Sequence, residues 1–248
     1  MADQKDIDLG SVLIIIPAYN EGYNIGQTIC EIRQEIPKAN ICIVDDASED
    51  KTVNISLEHN VDVLPLPTNL GYSSAIQTGL QYALQENYYY AVTFDADGQH
   101  DPRFISQVLS QLVHTVSDIV IGSRWKMRDS CDMSLARKIG ILGLSKIVHL
   151  ITGQKLTDTS SGFQAYSRLG MAALAGSQLP VRNPDADVVV SLARRGIIFS
   201  EVPVRMRPRT HGQGMNDGIV MMLRYGYHMF IGLLAQLIDP ERKDNKCR

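Results

Sequence analysis

The sequence predicts an α/β protein whose mostly parallel sheet lies between two layers of helices. Short apolar runs alternate with stretches of helical periodicity through the first half of the chain, and no repeat or low-complexity linker interrupts them. Repeated β-α units of this length imply a parallel sheet covered by helices. Acids, amides and an arginine directly follow several of the apolar runs, at the strand ends where such sheets bind ligands.

The predicted elements follow one another in a regular order. Apolar runs bounded by turn residues predict the strands, and apolar residues at helical spacing predict the helices. One domain is expected over residues 1–215, and an amphipathic helix with a charged tail over 216–248. The complete set of strands is expected at 12–16, 41–44, 61–66, 90–94 and 119–121, and the first helices at 25–36, 48–59 and 73–85.

The composition is that of an ordinary globular protein. Of 248 residues, 44% are hydrophobic and 21% are charged. A net charge of −3 argues against a nucleic-acid-binding protein, whose surface would be basic. The four cysteines show no metal-ligand spacing, and the polar N-terminus shows no signal peptide. We therefore expect a cytoplasmic protein with reduced thiols.

The segment Asp95-Ala-Asp-Gly-Gln99 is a candidate metal site. It directly follows the apolar run 90–94, and on an extended chain residues two apart point the same way, so Asp95, Asp97 and Gln99 would converge. Three oxygen ligands leave room for water and a phosphate, which is how Mg²⁺ or Mn²⁺ is held when it serves a nucleotide.

Other strand ends carry polar residues as well. The first run leads into the segment 17–21 (Pro-Ala-Tyr-Asn-Glu), the second into Asp45 and Asp46, and the fifth into Arg124. Together with the carboxylates after the fourth run, these residues indicate a nucleotide pocket. Helix capping explains Ser48 at least as well as a ligand role does.

Six segments occur in a particular order along the chain: IIIPAYNE from Ile14, CIVDDASEDKT from Cys42, NLGYSSAIQTGL from Asn69, FDADGQHDP from Phe94, IGSR from Ile121 and DTSSGFQAYSR from Asp158. Together they resemble family 2 glycosyltransferases, and in particular the dolichyl- and polyprenyl-phosphate sugar transferases of the dolichyl-phosphate mannose synthase group. The resemblance covers roughly residues 11–215. It implies a GT-A type fold, a UDP- or GDP-sugar donor, Mg²⁺ or Mn²⁺, and a polyprenyl phosphate or glycan acceptor.

The resemblance also assigns roles to individual residues. Those that resemble the nucleoside-binding positions are Pro17, Tyr19, Asn20, Glu21 and Asp46. Those that match the metal and diphosphate site are Asp95, Asp97 and Gln99. Arg124 and Arg137 match phosphate-contacting arginines, and Arg209 matches a third arginine that closes over the site. A solvated helix face explains Arg137 nearly as well.

The chemistry of sugar transfer suits these residue types. Charge develops on the leaving diphosphate, and a cation with fixed arginines stabilises it. A phosphate acceptor is already anionic, whereas a sugar hydroxyl needs a base. Asp158 is the candidate for that base or for organising the acceptor, and an ordinary loop aspartate is the alternative. Asp97, Asp158 and Arg124 are thus the candidate catalytic residues, and the family implies inversion.

One segment departs from the family. The closing loop there usually carries Arg, two residues, Gly, any residue, Ser and Lys, whereas residues 209–215 read Arg-Thr-His-Gly-Gln-Gly-Met. The missing lysine removes a cationic contact to phosphate, which bears on the lipid-phosphate acceptor and leaves the donor unaffected.

Residues 219–238 form a mostly apolar run of bilayer-spanning length. Arg224, His228 and Gln236 place a polar stripe along it, so peripheral docking on the inner face of the membrane, or packing in a homo-oligomer or on its own domain, is expected before a true span.

Two other classes of protein remain open. A nucleotidyltransferase also pairs carboxylates with a metal, but it would carry a glycine-rich basic loop after the first strand, which Pro-Ala-Tyr-Asn-Glu is not. A non-catalytic nucleotide-sugar-binding module is favoured only by the altered loop 209–215.

Overall fold

The computed structural model describes residues 8–126, 135–176 and 186–207. Within these residues the chain forms a seven-stranded sheet with helices on both faces. The strands are β1 (Val12–Ala18), β2 (Asn40–Asp45), β3 (Asp62–Pro65), β4 (Tyr90–Thr93), β5 (Ile119–Ser123), β6 (Gln164–Ser167) and β7 (Phe199–Pro203). The helices are α1 (Ile25–Glu35), α2 (Thr52–Glu58), α3 (Tyr72–Gln85), α4 (Ile105–His114), α5 (Leu135–Thr152), α6 (Arg168–Ala175) and α7 (Ala186–Arg194).

The strand order is β3-β2-β1-β4-β6-β5-β7, and only β6 runs antiparallel to its neighbours β4 and β5. Alternate residues of β1 face opposite sides of this sheet. Leu13 and Ile15 pack into a core with α3, α6 and α7, whereas Ile14 and Ile16 pack into a second core with α1 and α4. The predicted three-layer α/β architecture is therefore confirmed.

The prediction that five strands complete the sheet was wrong. It missed β6 (Gln164–Ser167) and β7 (Phe199–Pro203). Each is short, and each contains polar residues that are buried, Gln164 and Glu201. Apolar periodicity identifies strands by their hydrophobic side chains, so buried polar residues conceal both of these strands.

Pro17 lies inside β1 and does not end it. In the register of the sheet it pairs with Val44 of β2. The Ile15 carbonyl accepts a hydrogen bond from the amide of Phe94. The backbone hydrogen-bonding groups of alternate residues point to the same side of a strand, so those of Pro17 also face β4. Because β4 ends at Thr93, no strand partner lies beside Pro17 on that side, and a missing N–H costs nothing there.

Helix α2 begins at Thr52, four residues later than the predicted start at Ser48. The intervening residues form a loop whose side chains bind the loop after β1, as described below. Within the described residues, no helix is both long and apolar enough to span a bilayer. Arg209, the loop 209–215 and the segment 216–248 with its apolar run lie outside the described residues.

Candidate active site

The loops that follow β1 and β2 are joined by hydrogen bonds. The backbone amide of Asn20 donates to Ser48 Oγ at 2.9 Å, and Asn20 Oδ1 accepts from the amide of Glu49 at 2.9 Å. The amide of Glu21 donates to Thr52 Oγ1, also at 2.9 Å. Asn20 has a φ of 55°, a left-handed conformation that asparagine tolerates better than most residues. The segment that resembles a nucleoside-binding loop is therefore held in one shape by its neighbour.

Asp50 contributes to the same junction. Its carboxylate accepts hydrogen bonds from the amides of Gly22 and Thr52, each at 2.9 Å, and from the Thr52 hydroxyl. Desolvation raises the pKa of Asp50, but these hydrogen bonds outweigh it and bring the pKa below its ordinary value. The Ser48 and Asp50 side chains thus brace the β1 loop.

Asp46 is buried and organises a third loop. One carboxylate oxygen accepts the amide of Leu70 at 2.7 Å, and the other accepts the amide of Gly71 at 2.8 Å. Gly71 has a φ of +90°, a conformation that needs glycine, and it directly precedes α3. An ionised carboxylate has about four acceptor positions, so a nucleobase contact is compatible with this second role.

The candidate metal segment is a turn and not the extended chain that was predicted. Strand β4 ends at Thr93, and Gly98 has a φ of +76°. Asp97 Oδ1 accepts the amide of Gln99 at 3.0 Å, which closes the turn locally. The prediction that alternation along a strand makes Asp95, Asp97 and Gln99 converge was therefore wrong in its geometry, because the chain turns before Gln99.

Asp95 is contacted by the half-buried Tyr72 and by the buried His100. Tyr72 Oη donates to Asp95 Oδ1 at 2.8 Å. His100 Nδ1 accepts the amide of Asp95 at 2.9 Å, and His100 Nε2 lies 3.4 Å from Asp95 Oδ2. Because Nδ1 is the acceptor, a neutral His100 carries its proton on Nε2. Desolvation, together with the Asp95 carboxylate, raises the pKa of Tyr72 well above its usual range, so its hydroxyl remains a donor.

The donor set at this turn fits a hard divalent cation. No group of three or more His, Cys, Asp or Glu side chains converges as a metal site among residues 8–126, 135–176 and 186–207. However, Mg²⁺ is usually bound by one or two carboxylates together with substrate phosphates and not by a cage of protein ligands alone. Asp95 and Asp97 carry carboxylates and Gln99 carries an amide oxygen, which are ligand types that such a cation takes together with a diphosphate.

Arg124 and Asp158 bind each other. Arg124 Nε donates to Asp158 Oδ2 and Arg124 Nη2 donates to Oδ1, both at 2.7 Å, and the Arg124 amide adds a third bond at 3.0 Å. The Asp158 side chain is fully buried, whereas that of Arg124 is 23% exposed. The two candidate catalytic residues therefore form one bidentate ion pair at the end of β5.

A buried glutamate that was not predicted supports this pair. Glu201 lies on β7, and its side chain has no exposed surface. Its carboxylate accepts the amides of Thr157 at 2.6 Å and Asp158 at 2.7 Å, and the Thr157 hydroxyl at 2.8 Å. An acid within the apolar run Ile197 to Val204 was the available sequence signal, since buried carboxylates are rare unless they have partners.

The segment after β7 is fixed to the metal turn. The Arg207 amide donates to the Gln99 carbonyl at 2.7 Å, and His100 pairs with Met206 in an isolated antiparallel bridge. Arg207 Nη1 binds Glu31 of α1 at 2.5 Å, and Arg207 Nη2 lies 3.4 Å from the buried Asp101. Arg207, Glu31 and His100 help to line a cavity of about 250 Å³.

The strand ends thus bring most of the predicted residues to one edge of the sheet. Pro17 lies near the end of β1, and the Asp95–Gln99 turn follows the adjacent β4. The residues that follow β1 and β2 are Tyr19, Asn20, Glu21 and Asp46. Arg137 lies in the first turn of α5. Sequence reasoning missed Tyr72, Glu201 and the role of Arg207 as a tie between segments.

The chain is similar to proteins of a known family. The model of the family "Glycosyl transferase family 2" matches residues 13–169. The chain belongs to glycosyl transferase family 2. It is 29% identical to a UDP-N-acetylglucosamine–dolichyl-phosphate N-acetylglucosaminyltransferase of Methanococcus voltae, over 92% of this chain and 98% of the relative. It is 31% identical to an undecaprenyl-phosphate mannosyltransferase of Micrococcus luteus, over 84% of this chain and 89% of the relative.

A solved structure shares the fold of this family 2 glycosyltransferase. A mannosyltransferase of Pyrobaculum calidifontis, solved with GDP-Man and Mn²⁺, superposes with a TM-score of 0.66. The match covers 96% of this chain and 68% of that structure at 18% identity. The predicted GT-A type fold and glycosyltransferase class are therefore confirmed.

Proposed function

We propose that this glycosyltransferase moves a hexosyl unit from a UDP- or GDP-sugar to polyprenyl phosphate, with inversion at the anomeric carbon. The observation that carries the proposal is the position of the Asp95–Gln99 turn. It follows β4, next to β1, whose loop is bound to the loop of β2. The relatives named above, which match most of the chain, are named for transfer to dolichyl or undecaprenyl phosphate.

The donor nucleoside would lie between the loops after β1 and β2. Tyr19, Asn20 and Glu21 line that edge, and Tyr19 is 47% exposed, which leaves its ring available to a base. Asp46 would meet the base while it holds the Leu70–Gly71 loop in place. UDP and GDP remain equal candidates, since one relative is named for a UDP-sugar and the Pyrobaculum mannosyltransferase was solved with GDP-Man.

The diphosphate would lie over the turn after β4. Asp95, Asp97 and Gln99 would hold Mg²⁺ or Mn²⁺, which when bound neutralises the charge that develops on the leaving diphosphate. Arg137 and Arg209 would contact the phosphates, because the guanidinium fork matches phosphate oxygens. The Arg207 bridge fixes the start of the segment that leads to Arg209.

The ion pair between Asp158 and Arg124 bears on the choice of acceptor. Both of its oxygens accept hydrogen bonds from Arg124, and a carboxylate in such a bidentate pair is poorly suited to remove a proton from a sugar hydroxyl. A phosphate acceptor is already anionic and needs no base. Asp158 would therefore orient Arg124, whose positive charge favours an anionic acceptor, and polyprenyl phosphate is preferred over a glycan hydroxyl.

A lipid-phosphate acceptor places the reaction at a membrane. We propose that the protein acts at the cytoplasmic face and that residues 219–238 dock peripherally on the bilayer, with packing in a homo-oligomer as the alternative. The polar stripe along that run favours the interface over a span.

Binding and transfer test this function together. Calorimetry would measure the binding of UDP and of GDP to the protein, each with and without Mn²⁺. We expect one of them to bind with a micromolar dissociation constant that depends on the metal. Transfer from the matching nucleotide-sugar would then be assayed with polyprenyl phosphate and with a glycan acceptor. Binding without transfer would favour a non-catalytic module, and formation of a nucleotide-sugar from a nucleoside triphosphate and a sugar phosphate would favour a nucleotidyltransferase.

A further inference from the structure

The hydroxyl of Tyr72 occupies a position between two parts of the site. Tyr72 is the first residue of α3, and its Oη donates to Asp95 Oδ1 at 2.8 Å. It was not among the predicted site residues, and none of the roles proposed above involves it. A tyrosine bonded to a metal-site carboxylate therefore needs its own explanation.

The start of α3 is held in place by the end of β2. Asp46 accepts the amides of Leu70 and Gly71, the two residues before Tyr72. Gly71 turns the chain with a φ of +90°. The next residue, Ser73, is buried, and so are Ala75 and Ile76 in the core below. The backbone at Tyr72 is therefore positioned by Asp46, the candidate nucleobase residue.

The opposite side of the hydroxyl is closed by Gly162. A Cβ at this residue would lie 2.4 Å from Tyr72 Oη and 3.1 and 3.2 Å from the two carboxylate oxygens of Asp95. The Gly162 carbonyl accepts the Thr93 hydroxyl at 2.6 Å, which holds the backbone close to the end of β4. The absence of a side chain at 162 thus gives Tyr72 and Asp95 the space to meet.

The remaining side of Asp95 faces His100. The imidazole stacks on Phe163 with ring centroids 5.1 Å apart, so its position is fixed by packing. Its Nε2 lies 3.4 Å from Asp95 Oδ2, whereas Tyr72 binds Oδ1. Tyr72 therefore supplies the hydrogen bond to the carboxylate of Asp95, on Oδ1, while His100 lies beside Oδ2.

We propose that Tyr72 is a positioning residue that orients the Asp95 carboxylate for a divalent cation and links the nucleobase end of the site to the metal end. The inference rests on the proposed function, because it assumes that Asp95 binds the metal. Groups that hydrogen-bond to metal ligands fix their orientation, and their removal usually lowers metal affinity about 10- to 100-fold. Asp46, Gly71 and Tyr72 form the physical connection between the two ends.

The test is Tyr72→Phe, which keeps the ring and removes only the hydroxyl. The dissociation constant for Mn²⁺ would be measured by electron paramagnetic resonance of free Mn²⁺, on the full chain with saturating UDP or GDP. We expect a rise of about tenfold or more. At saturating Mn²⁺, kcat should recover most of its value, because the lost interaction acts through the metal ligand.

Tyr82→Phe is the matched control. Tyr82 lies on the same helix and donates to an aspartate, Asp62 Oδ2, at 2.9 Å. Asp62 begins the edge strand β3 and is not part of the candidate site. It removes an equivalent hydroxyl–carboxylate bond, so a general effect on stability would appear in both variants. Only Tyr72→Phe should change the Mn²⁺ dissociation constant. Equal constants in Tyr72→Phe and the unmodified protein would overturn the inference.

Gly162→Ala supplies a second arm. The added Cβ should weaken Mn²⁺ binding, and it should do so less in the Tyr72→Phe background, where the oxygen it would meet at 2.4 Å is gone. An equal loss in both backgrounds would count against Tyr72 as the group that Gly162 accommodates. Failure of the proposed function looks different, because the unmodified protein would then bind neither nucleotide with Mn²⁺.

Discussion

Replacing Glu201 should destabilise the protein strongly, although this residue touches no proposed substrate position. In Glu201→Ala, the amides of Thr157 and Asp158 and the Thr157 hydroxyl lose their acceptor. Lys126, whose Nζ lies 3.5 Å from the carboxylate, loses this ion pair but keeps its hydrogen bond to the backbone carbonyl of residue 201 at 3.1 Å. A buried donor left unsatisfied costs about 1–3 kcal/mol, so we expect the free energy of unfolding to fall by about 3–5 kcal/mol.

Urea unfolding followed by circular dichroism would measure this loss. Glu201→Gln is the matched variant, because its amide oxygen can still accept hydrogen bonds from backbone N–H groups. Its free energy of unfolding should fall by only about 1–2 kcal/mol. The order of the two variants follows from the number of donors left without an acceptor. A loss below about 1 kcal/mol in Glu201→Ala would refute the reasoning, since water would then replace the carboxylate without cost.

Three further predictions address the site, the C-terminal segment and the thiols. Asp97→Ala should abolish metal-dependent transfer while leaving the fold intact, and full activity in that variant would contradict the metal assignment. Truncation after Asp217 should reduce co-sedimentation with lipid vesicles or halve the size in solution, and no change in either would exclude a docking role for 219–238. Iodoacetamide at pH 8, followed by peptide mass spectrometry, should modify the exposed Cys30 and spare the buried Cys42. Burial raises the pKa of Cys42 to about 12, so its thiol stays protonated at pH 8 in the folded protein. The free energy of unfolding should fall through this group only above about pH 8.5, where the thiol of the unfolded chain ionises. Equal labelling of both cysteines in the folded protein would contradict this burial.

The sequence was sufficient for the parts of the fold that follow local rules. Strand β1 and helices α1 and α3 were predicted almost to the residue, because apolar spacing determines which face each element buries. The polar residues after β1, β2 and β4 were predicted to share one edge of the sheet, since parallel strands end on the same side. The motifs also identified the enzyme family before any geometry was known.

Pairings between distant residues could not be predicted in this way. Arg124 and Asp158 are 34 residues apart, and each was assigned a separate catalytic role because each carries suitable chemistry. Only the folded chain shows that they bind each other as an ion pair. Glu201 lies within an apolar run, which indicates that it is buried with partners, but only the fold shows that one of them is the Asp158 amide.

The sequence by itself thus determined the family, the α/β architecture and the edge of the sheet where the site lies, because these depend on residue types and on their order. The tertiary structure alone decided which side chains are paired with protein groups. It places Tyr72 against Asp95 and makes Gly162 necessary beside them, through contacts that join three separate segments of the chain. Such contacts depend on distances of a few ångströms, which no spacing along the chain records.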